Sequence, residues 1–150
     1  MPNSISALEQ LNAYIKQHKM RRTYERERVL EHILTINGHF TIQSLHEELN
    51  KETPISRGSI YNIIEVFLNA GLVVRHPFAG AEAEYETTQR ASTHHHRICT
   101  SCGAIKEFSD QKFSRAIKNR TFASFQTQFH SVYVYGLCKK CQPKTKKTKK

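Results

Sequence analysis

Residues 56–86 read SRGSIYNIIEVFLNAGLVVRHPFAGAEAEYE, and the change of periodicity within them decides the fold. Ile60, Ile63, Ile64, Phe67 and Leu68 recur at the three- and four-residue spacing of one helix face. Ser56 stands where an N-cap belongs, and Gly71 where a left-handed residue ends a helix. Then Leu72-Val73-Val74 and Ala83-Glu84-Tyr85-Glu86 read as two strands, joined through Pro77 and Gly80. A capped, glycine-terminated helix running into a β-hairpin predicts the end of a winged helix-turn-helix.

The preceding residues supply its other helices. Thr41 caps a segment whose inner face is Ile42, Leu45 and Leu49, and Pro54 breaks the chain after it. Thr23 opens another, with Val29, Leu30, Ile33 and Leu34 inward and Gly38 placed to stop it. Ile5, Leu8, Leu11 and Ile15 make one apolar stripe nearer the N-terminus.

Downstream, Thr87 to Thr93 is polar and offers no core residue, so the expected organisation is a domain over 1–87 and a hinge over 88–93. A second domain follows over 94–141, then a disordered basic tail over 142–150. Arg97-Ile98-Cys99, Ala104 to Phe108 and His130 to Tyr135 read as extended. A helix is expected around Phe113, Ile117 and Lys118. The predicted class is α+β: a winged helix-turn-helix followed by a small α/β domain. About 60 residues bury little core alone, so this second domain needs a staple, a partner subunit, or both.

Charge is distributed unevenly. Residues 1–86 carry nine Lys/Arg against eleven Asp/Glu, and residues 87–150 carry fourteen against two, for a net +10. An excess of that size points to an anionic partner, most commonly nucleic acid. In the slightly acidic first half the positives gather at Lys16, Lys19, Arg21, Arg22, Arg26 and Arg28, a candidate phosphate-contacting stretch or simply a solvated face. If the helix opened by Ser56 enters the major groove, Arg57, Ser59, Tyr61 and Asn62 are its candidates for base edges. No apolar run spans a bilayer and the N-terminus does not read as a secretory signal, so a cytoplasmic location is expected.

Four cysteines stand as two pairs, Cys99-Thr100-Ser101-Cys102 and Cys138-Lys139-Lys140-Cys141. A two-residue gap lets both sulfurs of a pair reach one ion, and two pairs complete a tetrahedral, closed zinc site. The 35 intervening residues must hold a strand-helix-strand unit. The competing reading is a redox dithiol, as in a thiol-disulfide protein.

Just before the first pair stands Thr93-His94-His95-His96. On a strand His94 and His96 share a face and His95 takes the other. Glu86 and Glu107 can approach the His94/His96 face, giving a set that suits Fe²⁺, Mn²⁺, Co²⁺ or Zn²⁺. The alternative is three solvated surface histidines.

Three ordered motifs add a resemblance over residues 20–141. RTYERERVLEHI (22–33), ISRGSIYNIIEVFLNAGLV (55–73) and THHHRICTSCGAIKEFSD (93–110) with HSVYVYGLCKKC (130–141) resemble the ferric uptake regulator family. The resemblance implies a homodimer that represses transcription by binding operator DNA when loaded with metal. Its sites carry over as structural zinc on Cys99, Cys102, Cys138 and Cys141. A second, regulatory divalent metal (Fe²⁺, Mn²⁺ or Zn²⁺) falls on His39, Glu86, His94, His96 and Glu107. Tyr61 resembles the family's base-contacting tyrosine, and Asn62 stands where relatives carry Arg or Asn. A third site is eroded: His130 remains, but Thr93, His95 and Ser114 stand where histidine, aspartate and glutamate are usual. Peroxide sensors of the family tend to carry aspartates where this chain has Glu86 and Glu107, which favours metal sensing. The same fold answering to another ligand such as haem, or to no effector, is the alternative.

Overall fold

Ser6, Thr23, Thr41 and Ser56 each end an extended segment, and each side chain accepts a hydrogen bond from the amide three residues on. They satisfy donors that a helix start leaves open, and so set where four helices begin. These are α1 (Ala7–Gln17), α2 (Tyr24–Thr35), α3 (Ile42–Asn50) and α4 (Arg57–Asn69). Gly71, at φ 73°, ends α4 in the left-handed region and releases the chain into a hairpin of β1 (Val73–His76) and β2 (Glu84–Thr87). A short helical turn, α5 (Thr88–Ala91), follows. The computed structural model describes residues 5–80 and 82–144, and the chain divides between Ala91 and Ser92 into two compact units.

The first unit holds the apolar core. Leu11, Ile15, Val29, Leu30, Ile33, Leu45, Leu49, Ile60, Ile64, Phe67 and Val73 are all buried in one cluster, each contributing about 1.5–3 kcal/mol of transfer free energy. The helix phases differ from expectation at three places. On α1 the inward line runs Ala7, Leu11, Ile15 in steps of four, leaving Ile5 and Leu8 67% and 40% exposed. Leu34 lies on the flank of α2, 44% exposed, and Leu68 is half-buried against the core. Gly38 does not stop α2; the helix ends at Thr35, where Ile36 turns extended.

An isolated antiparallel bridge, Phe40 with Tyr85, adds a third short segment to the hairpin; the amide-carbonyl pairs measure 2.9 and 2.8 Å. The expected linker is also more ordered than its polarity suggests. Thr87 is buried at the end of β2, and α5 within 88–93 buries Ala91.

The second unit is a three-stranded sheet of order β4-β3-β5, made of β3 (His95–Cys99), β4 (Ile105–Phe108) and β5 (Tyr133–Gly136). β3 and β4 are antiparallel, while β3 and β5 are parallel. A parallel neighbour requires a crossover, and α6 (Gln111–Lys118), capped by Asp110, lies in it. Among the described residues of this unit the buried apolar side chains are Ile98 and Cys99, while Phe122, Phe125, Val134, Tyr135 and Leu137 are exposed. The tail lysines Lys146, Lys147, Lys149 and Lys150 lie outside the described residues.

Candidate metal centres

The register of β3 against β5 pairs Cys99 with Gly136, which carries Cys138 to the first cysteine pair. Gly103, at φ 74°, lets the chain turn back directly after Cys102, its amide bonding the Cys99 carbonyl at 2.9 Å. Cys141 folds over Cys138 by an amide-carbonyl bond of 2.9 Å. All four sulfurs come within 4.8 Å of one another. Cys102 and Cys138 Sγ stand 3.7 Å apart, far beyond a disulfide and close to the ~3.8 Å edge of a tetrahedron with 2.3 Å metal-sulfur bonds. The electrostatics agree. Backbone amides of Cys102 and Cys138 pull the Cys99 thiol down to about 6. Ser101 pulls Cys141 down too, but the neighbouring thiols Cys138, Cys102 and Cys99 outweigh it and it rises to about 11. Four thiolates this close repel one another unless a cation sits between them, so the donor set fits a tetrahedral metal site.

In the first unit the Phe40–Tyr85 bridge sets His39 beside β2. His39 Nδ1 is 3.3 Å from Glu84 Oε2, and its Nε2 is 3.4 Å from Glu86 Oε2. Glu86 is fully buried. Two groups that sequence reasoning missed also hold it: His76 Nε2 lies 2.7 Å from Oε2, and Arg90 Nε lies 3.1 Å from Oε1. Phe78 stacks on the His76 ring at 4.7 Å and 11°, fixing its plane. The signal existed in the alternation of Glu84 and Glu86. It needed the register that sets His76 opposite Glu84, and the intervening loop conceals that register.

In the second unit β3 sorts the histidines by alternation. His94 Nε2 is 3.7 Å from Glu107 Oε1, the His94 and His96 rings meet edge-on at 4.8 Å, and His96 is paired across the ladder with Glu107. His95 takes the opposite face. Its Nε2 is 3.0 Å from the Ser114 hydroxyl, its ring meets the edge of Phe113, and its centroid is 6.5 Å from that of His130. All three histidines are buried, not solvated. Thr93 faces His94 Nδ1 at 3.4 Å, and the His95/His130 pair has the Ser114 hydroxyl where the resemblance implies Glu.

Burial, and then the electrostatic influence of His95 and Lys118, holds the His130 imidazole below its usual 6.5. A histidine with a depressed folded-state value binds fewer protons folded than unfolded. The His130 contribution to stability is therefore fully present above pH 6.5 and is lost as pH drops through 6.5 towards the lowered value. We expect urea midpoints measured at about pH 7.5 and about pH 5.5 to differ less in His130→Gln than in the parent. An identical pH slope in both proteins would assign the effect to another group.

On α4, Tyr61 is 58% exposed and Asn62 and Arg57 are exposed, Arg57 with Glu82 at 3.7 Å. Ser59 is not a free surface candidate: it is half-buried, and Ser56 donates to its hydroxyl at 2.9 Å. The basic stretch is partly spent on structure. Arg28 binds the Leu49 and Thr53 carbonyls, Arg26 the Arg21 carbonyl, and Arg22 pairs with Glu27. Lys19, in the left-handed region at φ 52°, and Arg21 are exposed. Among the described residues no helix is long and apolar enough to cross a membrane.

A helical unit closed by a wing, followed by a small α/β unit with a thiolate cluster and a histidine-carboxylate face, is the architecture of a metal-dependent regulator of transcription. Residues 17–135 match the ferric uptake regulator family, and the chain belongs to it. It is 27% identical over 139 residues to the peroxide-responsive repressor PerR of Staphylococcus aureus, covering 91% of this chain and 93% of that protein. Among solved structures it is similar to the Vibrio cholerae ferric uptake regulator, with TM-score 0.54 and 28% identity over 85% of this chain and 98% of that one. The Helicobacter pylori regulator, described as having three functional metal binding sites, shares the fold with TM-score 0.62 and 22% identity over 93% of each chain.

Proposed function

We propose that this chain represses transcription as a homodimer that binds operator DNA when a divalent metal is bound, with zinc held permanently by Cys99, Cys102, Cys138 and Cys141. The observation that carries the reading is the convergence of four sulfurs from two ends of one sheet beside a winged-helix unit. Zinc is the ion a closed four-thiolate set suits best in a reducing cell. For the regulatory ion, Fe²⁺, Mn²⁺ or Zn²⁺, the ligands are His39 and Glu86 of the first unit with His94, His96 and Glu107 of the second. That set rests on the family resemblance and on the chemistry of each unit separately.

A cation shared by those ligands supplies a cross-link between segments on either side of Ala91 and Ser92. The chain's own residues do the rest. His76 and Phe78 hold Glu86 in one orientation, and His94, directly before β3, packs edge-on against His96 at its start. Restricting the angle between the units raises the population of arrangements able to seat two α4 helices on one duplex. Glu86 and Glu107, as carboxylates longer than aspartate, support a metal-sensing role even though the curated relative is peroxide-responsive. A partner copy is supported by β5. It lies at the sheet edge with Val134 and Tyr135 exposed, in a unit too poor in buried apolar area to stand alone.

Selection from a randomised duplex pool tests the reading: a defined sequence is expected to be enriched with Mn²⁺ and lost with chelator. Enrichment of nothing, or of the same duplexes without metal, would sink it. On the selected duplex Tyr61→Ala should weaken specific binding about tenfold, the scale of one lost base contact, with non-specific binding unchanged. Equal loss on both would make Tyr61 a phosphate or packing residue.

A further inference from the structure

Arg90 belongs to no ligand set, yet it stands against the carboxylate on which the regulatory site depends. Its Nε lies 3.1 Å from Glu86 Oε1, on the side opposite the oxygen shared by His76 and His39. The contact is one of charge, since the N–H is not aligned on the oxygen as a hydrogen bond. The arginine sits at the end of α5, its side chain 27% exposed, and a second nitrogen donates to Asn37 Oδ1 at 2.8 Å. It is thus tethered beside the site but has solvent to move into.

We propose that Arg90 is an internal counter-ion that sets the metal affinity of the Glu86 site by competing with the incoming cation. The inference rests on Glu86 being a metal ligand, as above. A buried carboxylate without a positive neighbour is costly, and that cost is relieved when a dication binds. Here Arg90 already relieves it. The metal-free state is therefore stabilised, and an entering cation either displaces the guanidinium or accepts a like charge within a few ångströms. Either way, affinity falls by the factor by which Arg90 favours the empty site. The site is then tuned to fill only at higher free metal, and Asn37 holds the competitor close.

The test is a competition titration of Co²⁺ against a chromophoric chelator, using the full-length dimer with its thiolate metal retained. Arg90→Gln, which keeps a donor for Asn37 and removes the charge, is expected to bind Co²⁺ about tenfold tighter. Arg90→Lys, which keeps the charge, should remain within a few-fold of the parent. A second readout is thermal: with the thiolate metal retained and no Co²⁺ added, Arg90→Gln should melt below the parent, while its Co²⁺-induced rise in melting temperature is larger. Unchanged or weaker Co²⁺ binding by Arg90→Gln overturns the proposal. If Glu86→Gln and His39→Ala bind Co²⁺ as tightly as the parent, the site assignment falls and the role of Arg90 with it. If those two weaken binding and Arg90→Gln does not tighten it, only the counter-ion role is lost.

Discussion

Cys138→Ser is expected to release the tightly held zinc and to unfold residues 92–144 while the winged-helix unit keeps its own melting transition. The asymmetry follows from where the apolar core lies. Among the described residues, seventeen buried side chains form one cluster, all in the first unit, whereas the second buries Ile98 and Cys99 among its apolar side chains. Two buried apolar side chains leave that segment little burial to set against its ordering entropy. A four-thiolate zinc supplies apparent folding free energy of about 10–16 kcal/mol near neutral pH, and that contribution leaves with the metal. Cys138 is the decisive position because β5 is parallel to β3 and joined to it only through the long crossover holding α6. Without the sulfur link between Cys138 and the Cys99/Cys102 turn, four ladder pairs are left to hold the strand. Elemental analysis together with hydrogen exchange resolved by segment reads both consequences. Parent-like protection of His95–Cys99 and Tyr133–Gly136 in a zinc-free variant would show that the sheet does not need the metal.

Much of this architecture is written in local patterns. The caps Thr23, Thr41 and Ser56 are legible because a hydroxyl before an apolar helical stripe has few other uses, and all three accept the bond they were expected to accept. The two cysteine pairs are legible because their spacing is itself the chelate geometry. Legibility ends where position depends on contacts distant in sequence. His39 looks like a loop histidine until the Phe40–Tyr85 bridge carries it to β2, a pairing across 45 residues that no periodicity encodes. His76, Glu84 and Arg90 are hidden for a related reason: hairpin register and the turn at Thr88 are set by packing. Helix phase fails by a few tens of degrees at Leu8 and Leu34, since an apolar stripe is wider than the line of residues its neighbours cover. Arginine charge also misleads on its own. Arg28 reads as a phosphate ligand in sequence, and in the fold it ties α2 to the carbonyls that end α3.

Glu86→Gln should abolish the metal dependence of operator binding while leaving the thiolate zinc and dimer intact. Gln is nearly isosteric and its amide oxygen still accepts the 2.7 Å bond from His76, so the hairpin has little reason to rearrange. What is lost is the charge: a neutral amide is a poor donor to a hard or borderline dication, and the negative charge 3.1 Å from Arg90 goes with it. His76→Gln provides the scale. His76 touches Glu86 and orients it, and loss of such an outer partner typically costs ten- to a hundredfold in metal affinity. Removal of the ligand itself should cost more than that. The expected order of Co²⁺ affinity is therefore parent, then His76→Gln, then Glu86→Gln, with operator affinity at fixed metal following the same order. An inverted order would make His76 the ligand and Glu86 its support. Equal affinities in all three would place the regulatory ion away from the winged-helix unit altogether, leaving the buried carboxylate as a purely structural partner of Arg90 and His76.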